Sequence, residues 1–330
     1  MTDFLQRAKE LEQEMIARRR DFHKHPELGF QEIRTSGIVA KELNRLGLEV
    51  RTGVGKTGVV GLLEGDKPGP TILLRFDMDA LPIIEANQTD YVSENSGVMH
   101  ACGHDGHTTI GLAVAKMLMP LRKEIAGTIK FVFQPAEEGL GGALAMVKDD
   151  VMNSPKVDRS LALHLWNDKP FGWVAATNGP CMAAADKFTI TLQGKGGHGA
   201  APYLAHDPII ASAQIITALQ TVVSRNINAL DSAVLSMTSV KGGEAFNVIP
   251  DSVVMLGTVR TFTSEVRDRV MKRFEEIVIG LAKVMECEAK IEYHTTTAAV
   301  LNDAAMSAEV RELAKAMPGV LAVYTNADLE

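Results

Sequence analysis

The chain has 330 residues, long enough that two domains are the default expectation. Its 46% hydrophobic and 23% charged fractions are those of a globular protein, and a net charge of −7 argues against nucleic acid and an anionic membrane surface as partners. Cys102, Cys181 and Cys287 are odd in number and far apart, which suits a reducing compartment rather than a disulfide framework. No apolar run approaches the roughly 18 residues of a membrane span. Residues 1–20 are charged throughout and lack a signal-peptide core, so a cytoplasmic protein is expected.

Residues 3–20 place Phe4, Leu5, Ala8, Leu11, Met15 and Ile16 at helical spacing with charges between them, predicting an amphipathic surface helix. His23-Lys24-His25-Pro26-Glu27-Leu28-Gly29-Phe30 follows, with Pro26 as the breaker. Its two histidines suit a loop packed over a site better than ligands. A second helix runs from about residue 35 to Gly47, a good residue for a left-handed helix end. Short β-like runs at 48–52, 57–63 and 71–76 lead into Asp77-Met78-Asp79-Ala80-Leu81-Pro82. That is the C-terminal end of a strand, where open α/β sheets keep their ligand crevices. Carboxylates at i and i+2 on an extended segment face the same way, so one of them can orient a metal-ligating histidine or thiolate.

The densest chemistry lies in Gly97-Val98-Met99-His100-Ala101-Cys102-Gly103-His104-Asp105-Gly106-His107-Thr108-Thr109. Three histidines, a cysteine and an aspartate share a loop punctuated by glycines. Asp105 suits the cap of a helix predicted at 108–119. A cap needs one residue, however, whereas thiolate and imidazole together are the usual zinc-type ligands. A strand at 126–133 then runs into Gln134-Pro135-Ala136-Glu137-Glu138-Gly139. Adjacent carboxylates at a strand end allow one to bind metal and the other to take a proton from a metal-activated water. A helix at 142–148 and a strand at 160–166 complete the pattern, with His164 near the end of that strand, and 172–179 reads as a hairpin or connector.

From residue 186 the texture changes. A half-buried strand at 187–193 precedes a Gly-rich loop containing His198, and a helix at 207–224 starts with Pro208 in its first turn. Strands at 233–240 and 252–262, a helix at 264–285 and a strand at 288–294 give β-α-β-β-α-β, a split-βαβ α+β sandwich. The Gly-rich loop has neither a P-loop ending nor a dinucleotide fingerprint. The expected organisation is a first domain over 1–185, an inserted domain over 186–295, and a return to the first over 296–330, with a helix at 304–317 and a strand at 320–324.

Five motifs taken together resemble the zinc aminoacylase/carboxypeptidase family, in the branch of hippurate hydrolase and the indole-acetyl-amino-acid hydrolases. They are the stretches from His23, from Asp77, Met99 to His107, Gln134 to Gly139, and Gly196-Gly197-His198-Gly199-Ala200. The resemblance covers residues 10–330. It implies an α/β, two-domain protein, a metallo-aminopeptidase-like catalytic domain carrying an inserted α+β lid and dimerisation domain. It also implies two divalent ions (Zn, Mn, Co or Ni) and a homodimer that hydrolyses N-acyl amino acids. On matching positions, Cys102 is the thiolate shared by two metals, His104 and His164 complete one of them, and Glu138 ligates the other. Glu137 is the general base, Asp79 supports the ligands from behind, and His198 reaches the partner subunit's site to stabilise an oxyanion. Asn247 and Arg260 match substrate-carboxylate and lid contacts.

Members of that family carry a further C-terminal segment with a last metal-ligating histidine, and no histidine follows His294 here. The resemblance therefore implies a truncated form, with one ligand fewer for the metal at Glu138. It leaves a metal-binding, catalytically impaired dimeric fragment as the alternative to a working amidohydrolase. A thiol enzyme with Cys102 as nucleophile is the third reading.

Overall fold

The computed structural model describes residues 3–325 and forms two compact units divided between Lys169 and Pro170. Residues 1, 2 and 326–330, at the outer ends of the expected first and last segments, lie outside the described residues.

In chain order the first unit contains α1 (Phe4–Lys24), α2 (Ile33–Leu46), β1 (Glu49–Val54), β2 (Gly58–Glu64), β3 (Lys67–Asp77), α3 (His104–Leu118), β4 (Ala126–Gln134), α4 (Gly142–Lys148) and β5 (Arg159–Ala162). The sheet order is β1-β2-β4-β3-β5. Antiparallel pairing joins β1, β2 and β4, and parallel pairing joins β4, β3 and β5.

Alternation along the strands explains the layers, because successive side chains face opposite sides of a sheet. Val59, Phe76, Phe131 and Phe133 face one side, in a core shared with Phe22 of α1, Val39 and Leu43 of α2, and Leu112 and Ala115 of α3. Val60, Leu73 and Val132 face the other, against Met146 of α4 and Val151. The consequence for the site is positional: the parallel strands β3, β4 and β5 bring Asp77, Gln134 and Ala162 to one edge.

Several local expectations are corrected. α1 continues past residue 20, so His23 stands on its last turn and is buried, not in a covering loop. α3 begins at His104 rather than 108, which places His104, Asp105 and His107 in a helical first turn. Its N-cap is Gly103, at φ 86°, with no side-chain cap. Asp105 therefore does not cap it; its carboxylate instead meets His23 and Arg19. β5 stops at Ala162, so His164 lies beyond the sheet ladder.

The second unit contains β6 (Trp173–Ala175), β7 (Gly179–Met182), β8 (Ala184–Gln193), β9 (Gly197–His198), α5 (Pro208–Asn226), β10 (Ala233–Lys241), β11 (Val248–Ile249), β12 (Ser252–Thr261), α6 (Ser264–Val284), β13 (Glu288–Thr297), β14 (Val300–Asn302), α7 (Ala304–Ala316) and β15 (Ala322–Tyr324). The antiparallel sheet β10-β12-β8-β13 packs against α5 and α6 in the predicted split-βαβ order. Phe188, Ile190 and Leu192 alternate into its core to meet Ile215, Leu219, Phe274 and Val278. Asp207 caps α5 by accepting the Ile209 amide at 2.8 Å, with Pro208 in the first turn as expected. Residues 172–179 form no hairpin: β6 pairs in parallel with β15, and β7 pairs with β14.

Candidate metal centre

The first unit gathers Cys102, His104, His164, Glu137 and Glu138 at the C-terminal edge of its parallel strands. Cys102 Sγ lies 3.3 Å from His164 Nε2. His104 Nε2 lies 3.9 Å from a carboxylate oxygen of Glu137 and 3.9 Å from one of Glu138. Candidate ligand atoms fall within 4.8 Å of one another in three groups: Cys102–His104–His164, His104–Glu137–Glu138, and Asp77–His104–His107.

Backbone geometry delivers these groups. The φ of 86° at Gly103 turns the chain between Cys102 and the helix that starts at His104. Asp79 supports the opposite strand end, its carboxylate accepting the Glu138 amide at 2.9 Å. Ala136, at φ 50°, bends the chain just before the two glutamates, and buried Glu32 holds its amide at 2.8 Å. The aspartates at i and i+2 both lie close to one imidazole, that of His104. His104 Nδ1 donates to the Asp79 carbonyl at 2.8 Å with the Asp79 carboxylate 3.3 Å away, and His104 Nε2 lies 3.7 Å from Asp77.

The electrostatics are those of a site built for positive charge. Burial lowers the His104 pKa, but contact with Asp79 and Cys102 and the charge of Asp77 outweigh it, pushing His104 up to about 11. The His104 contact lowers the Cys102 thiol, yet burial and the Glu138 charge leave it above its ordinary value. Burial, then the neighbouring Glu138 charge, raise Glu137. Burial lowers His100 to about 4, so it is a neutral imidazole.

His104 Nε2 and Glu138 Oε1 are among the buried side-chain atoms without a hydrogen-bond partner. Unpaired buried polar atoms are costly in a native fold. Here they face each other beside a thiol and a second imidazole, the kind of cluster in which divalent cations satisfy such donors. The S, N and O donor set is that of zinc and its neighbours. The residues fit a metal.

The remaining expected site residues belong to the second unit. His198 and Asn247 are neighbours there: β9 pairs with β11 through His198 and Val248, and the Gly199 amide donates to the Asn247 carbonyl at 2.8 Å. The Ala200 amide donates to His198 Nδ1 at 3.1 Å, so the neutral ring carries its proton on Nε2. Arg260 lies near the far end of β12, opposite Ala185, some eight residues (roughly 26 Å at strand rise) from Ser252 beside the Gly-rich loop.

Sequence reasoning gave no role to Glu32, Arg75 or His107. Arg75 pairs with Asp77 at 2.7 Å, and His107 Nδ1 lies 2.6 Å from Asp77. His107 stood inside the metal motif, and that was its signal. Glu32 stands two residues beyond the stretch that ends at Phe30, just before α2, and offers none. The cluster of His23, Asp105 and Glu85 is a further buried network, at 2.7 and 3.1 Å.

Comparisons with known proteins show the family. Residues 73–327 match the model of peptidase family M20/M25/M40. The chain is 41% identical over 304 residues to an N-acetyl-L-cysteine deacetylase of Bacillus subtilis, covering 92% of this chain and 73% of the relative. It is 45% identical over 275 residues to an N-acyl-L-amino acid amidohydrolase of Geobacillus stearothermophilus, covering 83% and 74%. Among solved structures, a dinuclear metal-binding peptidase of family M20 from Bacillus subtilis superposes with a TM-score of 0.83 at 35% identity, covering 98% of this chain and 84% of that one. Among the described residues, no helix is long and apolar enough to cross a membrane. The chain is an α/β protein of two-domain architecture and belongs to peptidase family M20/M25/M40.

Proposed function

We infer that this chain is a metal-dependent amidohydrolase that cleaves the amide of an N-acyl amino acid to a carboxylic acid and a free amino acid. The observation that carries the reading is the convergence of Cys102, His104, His164 and Glu138 on one edge of the sheet, with Glu137 beside them. The names of its relatives support the substrate class: one is a deacetylase of N-acetylcysteine, another an amidohydrolase of N-acyl amino acids. Acyl groups from acetyl to the benzoyl of hippurate belong to that class.

Cys102, His104 and His164 would hold one divalent ion, and Glu138 with Cys102 a second; Zn, Mn, Co and Ni all suit the donor set. A cation bound there supplies Lewis-acid polarisation and an acidified water as nucleophile. Glu137 takes the proton of the attacking water and returns it to the leaving amine. Its raised pKa suits that exchange, since an acid–base group works best near the ambient pH. Asp79 holds His104 from behind, at Nδ1. His198, with its proton on Nε2, is assigned as the oxyanion donor to the partner subunit of a homodimer. Asn247 and Arg260 are assigned to substrate-carboxylate and lid contacts.

We assign 186–295 to an inserted lid and dimerisation domain, and 1–185 with 296–330 to the catalytic domain. The support is that β6–β15 and β7–β14 bring the segments flanking 186–295 together, apart from the four-stranded sheet. Against a thiol enzyme stands the crowding of candidate ligands around Cys102, which leaves no isolated Cys–His pair.

The test is release of free amino acid from N-acetyl- and N-benzoyl-amino acids by the purified chain, before and after chelation, with Zn, Mn, Co or Ni restored. Release that stops on chelation and returns with metal is expected. Release unaffected by chelation refutes the metal role. Absence of release under every metal refutes the amidohydrolase reading and leaves a metal-binding module.

A further inference from the structure

β5 leaves its ladder with β3 at the pair Arg75–Ala162, so His164 and Leu165 lie where no strand pairing holds them. Another set of contacts does. The Leu165 amide donates to His107 Nε2 at 2.9 Å, and His107 Nδ1 lies 2.6 Å from the Asp77 carboxylate. A carboxylate only accepts and an amide N–H only donates, so His107 carries its proton on Nδ1 and uses its Nε2 lone pair for Leu165. His164 Nδ1 in turn donates to the Leu165 carbonyl at 2.7 Å, leaving its Nε2 lone pair facing Cys102 Sγ at 3.3 Å. Gly106 lets Leu165 approach the first turn of α3; a Cβ there would meet Leu165 Cδ1 at 2.6 Å.

His107 is fully buried and stacks edge-to-face on His164, with ring centroids 4.7 Å apart. Its nearness to Asp77 and His104 makes it look like a ligand. Both ring nitrogens are already engaged, however, so it has no lone pair left to give.

We propose that His107 is a positioning residue rather than a ligand: anchored by Asp77, it grips the Leu165 amide and so fixes His164 beside Cys102 and His104. The proposal rests on the reading that those three residues hold a cation.

The test uses the chelator-stripped full chain with Co2+ as probe, reading affinity by chelator competition together with the thiolate-to-cobalt and ligand-field bands. His107→Asn reaches only the Asp77 side, and we expect it to weaken Co2+ binding about 10–100-fold and to shift the bands toward those of His164→Ala. His107→Gln places its amide oxygen near the Nε2 position, accepts the Leu165 N–H and keeps most of the affinity. An Asn variant that binds like wild type overturns the proposal, and so does a Gln variant as weak as the Asn one. Should His107→Asn fail to fold, long-range 1H–15N spectra of the wild-type imidazoles decide. His107 is expected as the Nδ1–H tautomer with and without Zn2+, and a coordination shift at its Nε2 on Zn2+ loading refutes the assignment. Equal Co2+ affinity in wild type and Cys102→Ser, with no thiolate band, instead overturns the cation site itself and the His107 role with it.

Discussion

Glu32 offers a sharp test of how the two glutamates are presented. Its side chain is fully buried, accepting the Ala136 amide at 2.8 Å and the Thr57 hydroxyl at 2.5 Å. Burial raises its pKa, opposed by its hydrogen bonds from Thr57 and Ala136. In Glu32→Ala the Ala136 amide is left buried without an acceptor, which costs about 1–3 kcal/mol. The cavity adds about 1 kcal/mol, for a total of about 2–4 kcal/mol. In Glu32→Gln the amide oxygen still accepts from Ala136, and the amide nitrogen donates to a rotated Thr57 hydroxyl. Both bonds survive and the buried charge is gone.

The pH dependence follows from the raised pKa. The folded state holds the Glu32 proton more tightly than the unfolded chain does, so this group's contribution is full below the unfolded pKa. It is lost as pH rises through the higher folded value. Glu32→Gln is therefore expected to be more stable than wild type at neutral pH, with the advantage shrinking as the solution is acidified. Urea unfolding of wild type, Gln and Ala variants across that range measures this. A Gln variant as damaged as the Ala variant, or an advantage that grows on acidification, refutes the reasoning.

Glu137→Gln should lower turnover about 10²–10⁴-fold while metal content stays unchanged, as kinetics paired with elemental analysis will show. In wild type, kcat/KM should fall as pH drops through the raised Glu137 pKa, because only the carboxylate accepts a proton. His198→Ala is expected to lose about 10²–10³ in turnover with metal still bound, and unchanged turnover would remove its oxyanion role. Loading the cation-free protein should release protons, because His104, at about 11, is protonated at neutral pH and must give up its proton to ligate. Affinity should then rise about tenfold per pH unit for each proton displaced, which titration calorimetry in buffers of different ionisation enthalpy can measure.

Much of the site was legible because its chemistry sits at strand ends. Asp77 and the Glu137–Glu138 pair follow recognisable β runs, and the rule that parallel sheets gather ligands at one edge placed them together. Cys102 and His104 share one short motif. The boundary of α3 was misread because glycines and polar residues at 103–107 look like a loop, whereas burial on the sheet lets them form a helical turn. β5 was read too long since Leu163, Leu165 and Trp166 are apolar, yet its pairing with β3 ends at Ala162. The contacts of Glu32 with Ala136 and of His107 with Leu165 span 104 and 58 residues. No local pattern encodes such contacts, because the tertiary fold alone brings those partners within hydrogen-bonding reach.

The measurement that bears most directly on the metal centre is elemental analysis of the reconstituted chain beside its Cys102→Ala and His104→Ala variants. At least one tightly held divalent transition metal per folded wild-type chain, lost in both variants, is the predicted result. No retained metal in folded wild type, or equal content in all three proteins, would contradict it.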